Sequence, residues 1–117
     1  MEYVNYEDFK KMDIRFGTVV EVKEVEDADK LLCFQLDFGE TDENGDKKLR
    51  QIVSGLKEYY PNYQELIGRQ LLYIVNLEPR KIKGYESNGM LMAVDGQDGK
   101  PVFIVPEKEV LPGSRVR

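Results

Sequence analysis

The chain has 117 residues, of which 41% are hydrophobic and 33% charged, with a net charge of −5 and no histidine. That length suits one domain with a buried core, and the acidic balance excludes a protein that grips polyanions over its whole surface. Without an imidazole there is no Ser–His–Asp triad, no His-ligated metal and no ordinary general base near neutrality, so neither an enzyme nor a cofactor site is expected.

The single Cys33 allows no intrachain disulfide and points to a reducing, cytoplasmic setting. No apolar stretch approaches the length of a bilayer span, the start MEYVNYEDFKKMD carries no signal-peptide pattern, and no membrane partner is expected.

Along the chain, Tyr6–Met12 is expected to form an opening helical turn. TVVEVKEV (18–25) then alternates, with Val20 and Val22 opposite Glu21 and Lys23. EVEDADK follows as a dense acidic stretch that reads as a solvated loop. In LLCFQLDF (31–38), Leu32, Phe34, Leu36 and Phe38 alternate with Cys33, Gln35 and Asp37. This is a strand with one buried face, and it places Cys33 half-exposed on the polar side, with no activating base to make it a nucleophile. Asn44-Gly45 marks a hairpin turn of type I′, lengthened by polar neighbours. The DENGD tip resembles a calcium loop only superficially, because Gly45 stands fourth where that pattern wants glycine sixth. A solvated tip is the simpler reading.

LRQIVSG (49–55) is the next strand, and KEYYPNYQELIG holds short helical pieces around Pro61, ended by Gly68. LLYIVNL (71–77) is apolar enough for burial on both faces, Glu78 to Asn88 is expected to be a loop, and MLMAV (90–94) and PVFIV (101–105) close the set. Asp95-Gly96 and Asp98-Gly99 turn a second hairpin between them. These short strands, with a helix between the third and fourth, predict an all-β protein. The expected fold is an OB-type five-stranded Greek-key barrel with flanking terminal segments, in one domain whose core runs from about 8 to 105. Strand pattern alone fits an SH3-like barrel equally.

Charge is unevenly distributed. Residues 1–46 carry a net −9, residues 47–88 a net +4 and residues 89–117 none. Within the basic third, NLEPRKIKGYESNGMLM places Arg80, Lys81 and Lys83 after the strand-breaking Pro79, with Tyr85 able to stack and Asn76, Ser87 and Asn88 able to hydrogen-bond. Cations for phosphates, an aromatic face for bases and small polar groups for base edges are what looped RNA requires. A solvated loop fits the same residue types.

The order of four segments goes further: DIRFGTVVEVKEVEDADKLL, RQIVSGLKEYY, NLEPRKIKGYESNGMLMA and PGSRVR. From about Asp8 to Arg117 the chain resembles the tRNA-binding domain family. That family includes the C-terminal domain of many bacterial methionyl-tRNA synthetases, free-standing structure-selective tRNA-binding proteins and domains appended to other synthetase-associated proteins. The resemblance implies an OB fold, tRNA bound by shape, and RNA-facing positions at Lys30, Asn76, Arg80, Lys81, Ser87 and Met90, with Lys83 and Tyr85 beside them.

On this reading Arg80 and Lys81 contact phosphates, Asn76 and Ser87 bond RNA or hold the loop, and Met90 is either at the interface or the first core residue of its strand. Arg50 and Lys57 are peripheral cations. Gly17, Gly55 and Gly89 are backbone-geometry positions. The resemblance also implies a homodimer whose interface involves 106–117, and a partnership with the catalytic part of methionyl-tRNA synthetase. Some relatives are export-related chaperones that bind unfolded peptides, which leaves a protein-interaction dimer as the alternative function.

Overall fold

The alternation in LLCFQLDF runs through the longest strand of the molecule. The computed structural model describes residues 1–117. Its elements are α1 (Tyr6–Lys11), β1 (Ile14–Val25), β2 (Ala28–Thr41), β3 (Lys47–Ser54), a 3-10 turn (Tyr63–Leu66), β4 (Gln70–Ile74), β5 (Arg80–Ile82), β6 (Tyr85–Ser87), β7 (Met90–Leu91), β8 (Ala93–Asp95) and β9 (Pro101–Phe103). Five of these strands form one antiparallel sheet in the order β3-β2-β1-β4-β7. β1, β2 and β3 follow as successive hairpins and β4 returns beside β1, which is Greek-key order.

The two ends of the sheet meet. The Asn88 amide donates to the Gln51 carbonyl at 2.8 Å and the Val53 amide donates to Ser87 Oγ at 2.9 Å, so the segment leading into β7 closes against β3. The fold is the all-β, OB-like barrel that the strand order predicts.

The inner face is a continuous apolar cluster in which Leu32, Phe34, Leu36, Ile52, Leu71 and Tyr73 have no exposed surface. β4 is buried on both faces, as expected. Its Leu72 and Ile74 join Ile14 under Phe16, Met92, Ile104 and Val116, so the chain after β7 covers the outside of the sheet. Tyr73 packs edge-on against Phe38 with centroids 5.5 Å apart, but its buried hydroxyl has no hydrogen-bond partner among the protein's groups. Burial pushes that phenol's pKa upward. A buried, unsatisfied hydroxyl costs about 1–3 kcal/mol, so Tyr73→Phe is expected to leave the urea midpoint unchanged or raise it. A clear fall would show that the hydroxyl is satisfied.

Several local expectations are corrected. Cys33 is buried at 1% exposure, because Ile82 and Tyr85 from a later segment pack over the outer-face cluster of Val25, Cys33 and Val53. Burial also raises the thiol pKa, which keeps it in the unreactive form. In β1 the register slips between Val19 and Glu21, so Val19 and Val22 are the buried residues and Val20 is exposed.

EVEDADK is not a loop. Glu26 and Asp27 make a two-residue turn and Ala28 already pairs with Val25. At the exposed 42–46 tip only Gly45 has positive φ, so the turn is not type I′. The Gly45 amide instead bonds the Asp42 carbonyl and the Asp42 amide bonds the Asp46 carbonyl. MLMAV is split between β7, which pairs with β4, and β8, which pairs with β9. At the break, the Met92 amide bonds the Leu72 carbonyl.

Candidate nucleic-acid interface

The basic stretch is itself a β-hairpin. β5 and β6 pair as Arg80↔Ser87, Lys81↔Glu86 and Ile82↔Tyr85, leaving Lys83 (φ 52) and Gly84 (φ 84) as a two-residue turn. Two successive positive φ values define the type I′ geometry that suits the twist of paired strands. Glycine takes this conformation freely, whereas Lys83 does so at a cost of roughly 1 kcal/mol. Ile82 and Tyr85 turn onto Cys33 and Val53, while Arg80, Lys81 and Lys83 are exposed.

None of these three cations has a carboxylate within 4.0 Å, although ion pairs occur elsewhere in the chain. The hairpin therefore presents three exposed cations, with Glu86 opposite Lys81 its one carboxylate, over the outer face of β1, β2 and β3. Beside it, Lys23 of β1 lies over the Tyr85 ring at 5.3 Å from its centroid. Lys23 was not among the sequence candidates; its register with Cys33, under the hairpin, is what brings it there.

The floor next to the hairpin is polar. Gln35 Nε2 donates to Gln51 Oε1 at 2.8 Å, and Gln51 Nε2 donates to the Glu86 carbonyl at 2.9 Å. A cleft of about 320 Å³ bordered by Glu21, Lys23, Gln35 and Ile67 opens on one side. A second, of about 400 Å³, is bordered by Lys48, Gln51, Glu86 and Asn88. This is the strand 2–3 face on which OB folds bind oligonucleotides.

The remaining candidates do not all converge there. Met90 is half exposed (52%), at the start of β7 and outside the core. Lys30 is exposed on β2, alternating to the opposite side from the Leu31 and Cys33 that lie under the hairpin. Its carbonyl accepts from the Lys57 amide, and Lys57 is committed to Glu24 at 2.8 Å. Ser87 is buried at 4% and spends its hydroxyl on the Val53 amide and, at 3.4 Å, the Gly89 carbonyl. Asn76 accepts from the Asp13 amide at 2.9 Å and donates to the Lys11 carbonyl at 2.6 Å. Of the two roles the sequence left open for Asn76 and Ser87, holding the local backbone is the one these contacts perform.

A family model described as "Putative tRNA binding domain" matches residues 14–115. The chain belongs to the tRNA-binding domain family. Over 116 residues it is 47% identical to a methionine–tRNA ligase of Parabacteroides distasonis, covering 99% of this chain and 16% of that protein. The chain thus spans about a sixth of the length of the curated relatives it matches. Among solved structures, a MetRS-related protein from Pyrococcus horikoshii aligns over 100% of both chains with a TM-score of 0.85 and 34% identity. The chaperone CsaA of Bacillus anthracis aligns over 99% of this chain and 100% of its own with a TM-score of 0.80 and 27% identity.

Within this tRNA-binding domain, the D-I-R-F-G motif builds a clamp. Arg15 donates to Asp13 from Nε at 2.7 Å and Nη2 at 3.2 Å, and from Nη1 to the Gly113 carbonyl at 3.2 Å. Arg115 of P-G-S-R-V-R reaches the carbonyls of Lys10 and Met12 and lies 3.5 Å from Asp13. The hydrogen bond from Arg15 holds the Asp13 carboxyl below its usual range, and the one from Arg50 does the same for Glu40. A carboxylate whose pKa is depressed by folding contributes stability above its unfolded value, near 4, and loses it as pH falls through the folded one. Melting temperature is therefore expected to fall on acidification below about pH 4. Asp13→Asn and Glu40→Gln should each lower it at pH 7 and flatten the acid dependence.

Proposed function

We propose that this chain is a non-catalytic tRNA-binding module that holds RNA through the β5–β6 hairpin, as an accessory domain of a methionine–tRNA ligase or as a free-standing dimer in the cytoplasm. The observation that carries this reading is the set of exposed Arg80, Lys81 and Lys83, none of them in an ion pair, on a hairpin beside the sheet face that OB folds use for oligonucleotides. Arg80 offers a bidentate fork to phosphate and the lysines act as point charges. Lys23 and Tyr85 stand next to them, and Met90 and Lys30 lie further out.

A footprint of about four phosphates corresponds to a salt slope of roughly −3 on single-strand statistics. Modest affinity suits an appended module, whose tether to a catalytic body supplies a high effective concentration. The test is an anisotropy titration of labelled tRNA at two salt concentrations, with single-stranded DNA of equal length as competitor. Saturable binding that weakens with salt and resists the DNA supports the reading; no binding at low salt contradicts it.

A second reading has its own support. A cleft of about 380 Å³ between α1 and the C-terminal segment is lined by Tyr6, Phe9, Met12 and Val116 with Lys10, Arg115 and Arg117 at its edges, and Leu111 is 81% exposed. This surface suits a homodimer involving residues 106–117, and in a chaperone-like protein it would take an apolar peptide. Peptide binding that salt fails to weaken would favour that alternative.

A further inference from the structure

Arg50 shares its inward parity with Ile52, because it pairs with the fully buried Leu36. Its guanidinium therefore enters the mouth of the barrel, where it lies 5.7 Å from the Phe38 centroid with its side chain 22% exposed. Nε and Nη2 grip Glu40 at 3.0 and 2.8 Å, while Nη1 donates both to the Val75 carbonyl at 2.7 Å and to the Asn88 carbonyl at 3.0 Å. Four of the five guanidinium donors are thereby used within the protein.

The two carbonyls have a particular place in the chain. Val75 is the residue after β4 and Asn88 the residue after β6, so between them lies the whole excursion that carries Arg80, Lys81, Lys83 and Tyr85. One nitrogen holds both feet of that excursion, and Glu40 anchors the guanidinium from β2.

We propose that Arg50 is a positioning residue for the RNA-binding hairpin: it pins the two feet of the 76–87 excursion together and does not itself contact phosphate. The proposal deepens the tRNA-binding reading and rests on it for its functional arm. Lysine at position 50 keeps the charge but has no planar fork with which to hold Glu40 and two carbonyls at once. Loosened feet lower the population of the binding-competent hairpin, and apparent affinity falls by that same fraction. The phosphates contacted in the competent state do not change, so the salt slope stays where it was.

The experiment compares wild type, Arg50→Lys, Arg50→Gln and Glu40→Gln in the full chain by amide hydrogen exchange and by tRNA titration at several salt concentrations. In Arg50→Lys, exchange at the Ile82 and Tyr85 amides is expected to quicken about tenfold relative to β1 and β2, and the Kd for tRNA to rise about tenfold with an unchanged salt slope. Glu40→Gln keeps the two carbonyl bonds and shows the same pattern more weakly, which serves if the lysine variant does not fold. Unaltered exchange in the hairpin overturns the proposal. So does a salt slope shallower by about 0.7 in Arg50→Gln, which removes the charge that lysine keeps, because that is the signature of one lost phosphate contact. The exchange arm uses no RNA, so a wild-type chain that fails to bind tRNA sinks the functional reading while Arg50's hold on the hairpin is still decided.

Discussion

Replacing Arg80, Lys81 and Lys83 together by alanine is expected to weaken tRNA binding by about 30- to 100-fold at low salt and to reduce the salt slope from roughly −3 to about −1. The reasoning is additive and bounded. Each exposed cation–phosphate contact in high dielectric is worth up to about 1 kcal/mol, and three such contacts give two orders of magnitude at most. The three side chains are exposed and lack ion-pair partners, so the melting temperature should hardly move. That combination separates a binding surface from a structural one. Retained affinity with a retained slope would mean that the RNA sits elsewhere, and lost affinity accompanied by unfolding would mean the cations serve the fold.

Gly89→Ala is expected to destabilise the domain by about 2–3 kcal/mol, and Gly55→Ala by less than about 1. Gly89 has φ +138, where an L side chain is strained, and a Cβ there would stand 2.8 Å from the Ile74 carbonyl and 2.9 Å from Ile52 Cδ1. It lies where the chain leaves the hairpin and enters β7, pressed against the barrel wall. Gly55 has no positive φ, and the nearest atom to its added Cβ would be the Lys30 carbonyl oxygen at 3.9 Å. Chemical denaturation of the two variants checks the contrast. Equal costs would mean that close approach at Gly89 is relieved by small backbone movements. The sequence treats these glycines alike, and only the packing distinguishes them.

That contrast reflects what local pattern can reveal. The strands from Leu32 to Phe38 and Leu71 to Ile74 were legible because burial there follows alternation or continuous apolarity, which is a property of neighbouring residues. The hairpin at 80–87 was not: its strands are three residues each and its turn is Lys83-Gly84, without the Asn-Gly or Asp-Gly pair that marks type I′. Cys33 looked half-exposed because its cover, Ile82 and Tyr85, comes from some fifty positions away in the sequence.

The candidate site was legible in its charges and not in its supports. Arg80, Lys81 and Lys83 stand out as a basic cluster in an acidic chain. Lys23 joins them only through strand register. Arg50, read as a peripheral cation, proves to be held inside the barrel mouth by partners 10 to 38 residues away. Ser87 and Asn76 belong to the same motif as the cations, yet their polar atoms are engaged with the protein's own backbone.

The most direct test of the hairpin as the RNA surface is a backbone amide chemical-shift titration of the chain with tRNA. Shifts are expected to concentrate at Arg80–Tyr85, Lys23 and Gln35, with the acidic 42–46 tip and α1 unaffected. Shifts centred on α1 and residues 111–117, with the hairpin silent, would contradict the assignment and move the RNA to the cleft between α1 and the C-terminal segment, where Lys10, Arg115 and Arg117 supply cations.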